Sequence, residues 1–156
     1  MDGFTRLRYA QYSYLYNKIR EVAGYRIIIV SHIPSDSAMS GYAENMSSIQ
    51  ALLELFANKE AGSFPVGAAT FNVDFTNSTN TLICHISGHS HKDESHISNG
   101  VLSISTTCDA YYQDDGHGAA TGTVTEQAFD VFCIDYDAKT INAIRIGRGT
   151  NRSWTY

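Results

Sequence analysis

The sequence predicts an α/β domain in which helices pack on a mixed β-sheet closed by a β-hairpin. Three patterns point there. Apolar residues recur at helical spacing near the N-terminus, an unbroken β-branched run follows at once, and from Gly67 onward the chain reads as short strands divided by Asn, Ser and Gly. The 156 residues fit one domain, spanning 1–156, and 43% apolar content is enough to bury a core.

Tyr12, Leu15, Tyr16, Ile19 and Val22 fall on one helical face and Gly24 follows as a stop, so residues 9–23 are expected to form an amphipathic helix. Arg26-Ile27-Ile28-Ile29-Val30-Ser31 shows no polar alternation, the pattern of a central strand buried on both faces. Met46, Ile49, Leu52, Leu53 and Phe56 mark a second helix that closes near Gly62. Strands are expected at residues 69–74, 81–87 and 101–105. Residues 128–135 and 140–146 flank Tyr136-Asp137-Ala138-Lys139 and read as a closing hairpin with both faces covered. Residues 111–125 read as a long, Gly-rich polar loop, of a length usual for functional or mobile segments.

A formal charge of -5 without any Lys/Arg stripe excludes a field that gathers phosphate backbones, so non-specific nucleic-acid binding is not expected. Cys84, Cys108 and Cys133 are odd in number and far apart, which suggests neither a disulfide framework nor a cysteine zinc knuckle, and points to a reducing compartment. With no signal-like or membrane-spanning apolar run, the expectation is a cytoplasmic chain without a membrane partner.

Chemistry concentrates in the histidines. His32 follows the buried strand in Ser31-His32-Ile33-Pro34, at the carboxyl end where open α/β sheets gather ligands, and Pro34 holds Ile33 extended. A second strand ends in Gly88-His89-Ser90-His91, where two imidazoles two residues apart can serve one metal or two neighbouring metals. The acidic turn Lys92-Asp93-Glu94 comes next. Neutral imidazole suits several ions, so the spacing does not name the metal. His85 lies within its strand and reads as a satisfied core histidine; His96 and His117 read as loop residues in contact with solvent. Asp114-Asp115-Gly116-His117 reads as a solvated turn, and Cys108 as packing. Arg145, Arg148 and Arg152 have the positions of surface-paired cations.

The two histidine blocks, in this order and each after a strand, resemble the last two metal-binding blocks of the calcineurin-like metallophosphoesterases. The resemblance runs from about Tyr9 through the hairpin to Trp154, and is similar to bacterial and phage-borne members that end in a hairpin and an Arg-Gly tail. It implies the C-terminal part of an αββα sandwich, and a hydrolase of phosphate mono- or diesters. It also implies His32 and His89 on one metal and His91 on the other, with Asp93 or Asp109 orienting a ring. The divalent ions implied are two of Mn, Zn, Fe or Mg. The family's Asp-x-His, Gly-Asp-x-x-Asp and Gly-Asn-His blocks have no match before His32, so the centre is at most partial in this chain and the chain alone is expected to be inactive. A non-catalytic interaction module and a mononuclear zinc hydrolase using all three histidines are the alternatives. Half of a sandwich also leaves apolar surface unpacked, which predicts a homo-oligomer or association through that face.

Overall fold

The computed structural model describes residues 8–108 and 119–156. In chain order its elements are α1 (Tyr9–Glu21), β1 (Arg26–Val30), a 3₁₀ turn (Glu44–Met46), α2 (Ser47–Asn58), β2 (Ala61–Val66), β3 (Ala69–Asp74) and β4 (Thr81–Ser87). They continue with β5 (Glu94–Ser98), β6 (Val101–Ser105), β7 (Ala128–Asp135), β8 (Thr140–Gly147) and β9 (Arg152–Thr155). No helix among the described residues is long and apolar enough to cross a membrane.

Three layers result. The middle one is a mixed four-stranded sheet of order β1-β4-β6-β5, in which β1, β4 and β6 run parallel and β5 returns antiparallel. On one face, α1, α2 and the β2–β3 hairpin bury Tyr12, Ile19, Leu52, Leu53, Phe56, Phe64 and Phe71 together with Leu82 and Val101 of the sheet. On the other face, the antiparallel sheet β7-β8-β9 closes over Ile83, Cys84, Leu102 and Ile104 with Ile141, Phe132, Ile134 and Trp154. Ile27 and Ile29 join the first core and Ile28 the second, the period-two alternation of a strand between two apolar layers.

Several expectations need correction. The isoleucine strand β1 touches both layers but is not central: among the described residues it pairs only with β4, and Val30 is 72% exposed. Composition reports what covers a strand's faces, and says nothing about which neighbours share its hydrogen bonds. α2 ends at Lys59, in the left-handed conformation with φ 58°, because the chain turns directly into β2, and Gly62 lies inside that strand. The Gly and Pro of Ala-Gly-Ser-Phe-Pro-Val hide β2, where Pro65 is tolerated opposite Thr70 in a two-stranded ribbon. The closing hairpin is a three-stranded meander, since Arg152–Thr155 adds to β8.

Its outer face is not covered by any described residue. Phe129 pairs with Ile146 and Val131 with Ile144, and all four are exposed, while Asp130, Phe132 and Ile134 alternate inward.

Leu52 is fully buried at the centre of the helical layer. Leu52→Ala is expected to lower the unfolding free energy by about 2–5 kcal/mol, read from urea denaturation at pH 7.5. A loss under about 1 kcal/mol would contradict the packing described for α2.

Candidate metal centre

Parallel pairing of β1 with β4 puts the carboxyl ends of both strands side by side, and the loops that leave them carry the two histidine blocks. The amide of Gly88 donates to the His32 carbonyl at 3.0 Å, which locks the two exits together. Nδ1 of His89 then lies 3.1 Å from Nε2 of His32, with ring centroids 5.0 Å apart and planes at 73°. Both side chains are exposed, so the pair faces solvent at the end of the sheet.

The turn that presents His89 is strained. His89 has φ 70° and His91 φ 58°, left-handed values that residues other than glycine seldom adopt. Such backbone costs about 1–3 kcal/mol per residue and persists where its surroundings over-determine it, most often at ligand sites. The surroundings are visible here. Ser105 Oγ donates to the Gly88 carbonyl at 3.2 Å, Thr107 Oγ1 donates to the His91 carbonyl at 3.0 Å, and the Ser40 amide donates to Glu94 at 2.7 Å. Gly41 sits against the turn so closely that a Cβ there would lie 3.1 Å from the His89 ring; its φ of 75° also suits glycine.

Two of the three expected ligands therefore meet. His91 follows on the same turn, but among the described residues no hydrogen bond or ring contact links its ring to the pair. No group of three or more His, Cys, Asp or Glu gathers among them where it could hold a metal ion. As donors the His32–His89 pair fits one divalent cation, because cis ligands with metal–nitrogen bonds near 2.1 Å stand about 3.0–3.3 Å apart. Two imidazoles fill at most half of such an ion's coordination shell, and the described residues do not supply the rest.

Asp93, beside this turn, is gripped by two arginines: both its oxygens accept from Arg145 Nη2 at 2.8 Å, Arg152 Nη1 lies 2.9 Å away, and the Thr107 amide donates to it at 3.0 Å. Arg145 also reaches Asp130 through Nε at 2.8 Å, and Arg152 closes the ring by an ion pair with Asp130. This cluster is buried, with the Arg145 and Asp130 side chains each 2% exposed, so the arginines are not the surface cations their sequence positions suggest. Burial opposes the charge on Asp93, yet the hydrogen bonds from Arg145 and Thr107 and the charges of both arginines hold its pKa below the usual carboxylate range. Arg148, also buried, donates to the carbonyls of Glu126 and Cys108. A signal for the cluster exists in the sequence: Asp130 and Arg145 occupy inward positions of an alternating hairpin, where a charge needs a partner. Asp109 and the segment Asp114-Asp115-Gly116-His117 lie outside the described residues. His96 is in β5, not a loop, with Nδ1 2.7 Å from the buried Asp36 carboxylate.

His85 is the satisfied core residue the strand pattern indicates. It is fully buried, with Nε2 2.7 Å from Ser31 Oγ and Nδ1 3.0 Å from Ser35 Oγ, so both ring nitrogens have a hydroxyl partner. Burial pushes its pKa down to about 4, against a smaller opposite pull from Asp36.

A search of the known families finds no family model that matches this sequence, and no curated protein matches it. A structural match does exist. The crystal structure of a dimetal phosphatase from Danio rerio superposes on 96% of this chain with a TM-score of 0.61 at 15% sequence identity. The two share a fold. It is the calcineurin-like α/β arrangement, and this chain spans 38% of the phosphatase's length.

The His85 pKa sets a pH test. Between pH 6.5 and about 4 the unfolded chain takes up the imidazole proton before the folded one does, so stability falls as pH drops through that window. The expected contribution is up to about 3 kcal/mol, seen as a steeper acid loss of urea stability in wild type than in His85→Gln. Parallel pH profiles for the two proteins would refute it.

Proposed function

We propose that this chain is part of a metal-dependent phosphoesterase, with His32, His89 and His91 as its metal-binding residues. The observation that carries this reading is the 3.1 Å meeting of His89 and His32 on a strained turn at the shared carboxyl end of two parallel strands. The likeness of fold to a dimetal phosphatase supports it.

The chain's own part is to hold and to expose. His32 and His89 bring Nε2 and Nδ1 within 3.1 Å of each other, and Gly41, Ser105 and Thr107 keep the turn from relaxing away from that arrangement. A divalent ion at such nitrogens supplies Lewis-acid polarisation of a phosphoryl oxygen and acidifies a bound water. The donor set is incomplete among the described residues, so the proposed enzyme draws its carboxylate ligands from outside them. Because the Asp-x-His, Gly-Asp-x-x-Asp and Gly-Asn-His blocks have no match in the sequence, the isolated chain is expected to be inactive, with phosphate-ester turnover belonging to an assembly that includes it. Two surfaces suit association: the edge of β1 that has no strand partner among the described residues, beside His32, and the exposed apolar face made by Phe129, Val131, Ile144 and Ile146.

Titration calorimetry with Mn²⁺ or Zn²⁺ is expected to detect binding to the wild-type chain and at least a tenfold loss in His89→Ala, an effect of about 1.4 kcal/mol or more. Wild-type protein that takes up neither ion would sink the metal reading. Hydrolysis of bis(4-nitrophenyl) phosphate should stay at background for the chain alone and rise when a polypeptide bearing an Asp-x-His block is co-expressed with it.

Light scattering is expected to show a dimer or larger species that Val131→Glu shifts toward monomer. A wild-type monomer at all concentrations would rule out self-association through the outer face.

A further inference from the structure

The buried Asp93–Arg145–Asp130–Arg152 cluster joins two elements with different roles. Asp130, Arg145 and Arg152 belong to β7, β8 and β9 of the C-terminal sheet, whereas Asp93 belongs to the histidine turn, two residues after His91. Arg145 and Asp130 face each other in register across β7 and β8, so the guanidinium is aimed before Asp93 reaches it. Gly149, with φ 97°, lets the chain pass this group: a Cβ there would fall 2.3 Å from Arg145 Nη1. Thr107 adds a second tie, its amide donating to Asp93 and its hydroxyl to the His91 carbonyl. Two left-handed residues, His89 and His91, thus lie between a fixed point at Gly88, bonded to the His32 carbonyl, and a fixed point at Asp93. A turn pinned at both ends by buried groups has little room to relax its backbone.

We propose that Asp93, Arg145 and Thr107 are positioning residues for the histidine turn: they hold the backbone at His91 and, through it, His89 against His32, ready for a divalent cation. The inference rests on the metal reading above for its purpose, and on geometry alone for its structural claim. The C-terminal sheet then has a task beyond covering the core, since it is the frame against which the metal-facing turn is braced.

Two variants test it. Thr107→Val deletes one hydroxyl hydrogen bond while keeping the side-chain shape, and Asp93→Asn keeps the shape while removing the charge that Arg145 grips. Long-range proton–nitrogen spectra of metal-free protein report the imidazole nitrogens of His32 and His89, and zinc titration reports affinity. Both variants should shift those imidazole signals. Zinc affinity should fall about tenfold in Thr107→Val and further in Asp93→Asn, the range seen when groups behind metal ligands are removed. Asp137→Asn, in the exposed β7–β8 turn, should change neither readout. Wild-type imidazole signals in Thr107→Val and Asp93→Asn would overturn the proposal, as would wild-type zinc affinity in both. If the wild-type protein binds no zinc, the metal reading fails, while the metal-free imidazole signals still decide whether these residues position the turn. If Asp93→Asn does not fold, Thr107→Val decides alone.

Discussion

The structure depends on the parallel pairing of β1 with β4. Parallel strands cannot be joined by a tight turn, so the chain between them must make a long excursion, and here that excursion is α2 and the β2–β3 hairpin. Those elements build the helical layer that buries one face of the sheet. The same pairing aligns the carboxyl ends of the two strands, and with them the segments that begin at Ser31 and Gly88. Core and candidate site therefore follow from one set of backbone hydrogen bonds.

A second constraint acts at right angles to the first. The turn at 88–93 has backbone angles at His89 and His91 that the chain would not hold by local preference, and the side chains that hold them are distant in sequence: Ser105, Thr107, Arg145 and Arg152. Burying four charges is costly unless each finds a partner, and removing one partner from such a group typically costs about 3–5 kcal/mol. The geometry of the turn is thus coupled to the integrity of the C-terminal sheet. The polar row formed by His85, Ser31 and Ser35 is a separate device that sits under the His32 loop and keeps a neutral imidazole inside the helical layer.

The sheet edge and the outer apolar face are surfaces that the described residues leave open. β1 carries the composition of an interior strand but an edge position, and Phe129, Val131, Ile144 and Ile146 stand in cross-strand pairs with nothing packed on them among the described residues. Edge strands in monomeric proteins are commonly blunted by charge, proline or a covering element, and β1 has only Arg26 at its start.

What the sequence determined by itself is whatever depends on local spacing. Helical periodicity located α1 and the body of α2, and β-branched runs located β1, β4, β6, β7 and β8. Of the histidines that the strand-then-histidine pattern at Ser31-His32 and Gly88-His89-Ser90-His91 singled out, His32 and His89 do meet. Local spacing could not find β2, β5 or β9, because Gly62, Pro65, the charged start Glu94 and the short Arg152–Thr155 segment become strands only by pairing with partners. Nor could it reveal that Arg145 and Arg152 are buried ion-pair partners of Asp93 and Asp130, or that β1 is an edge. Those facts belong to the tertiary structure, because hydrogen-bond neighbours, burial of charge and the hold on a strained turn are properties of residues far apart in the chain and close only after folding.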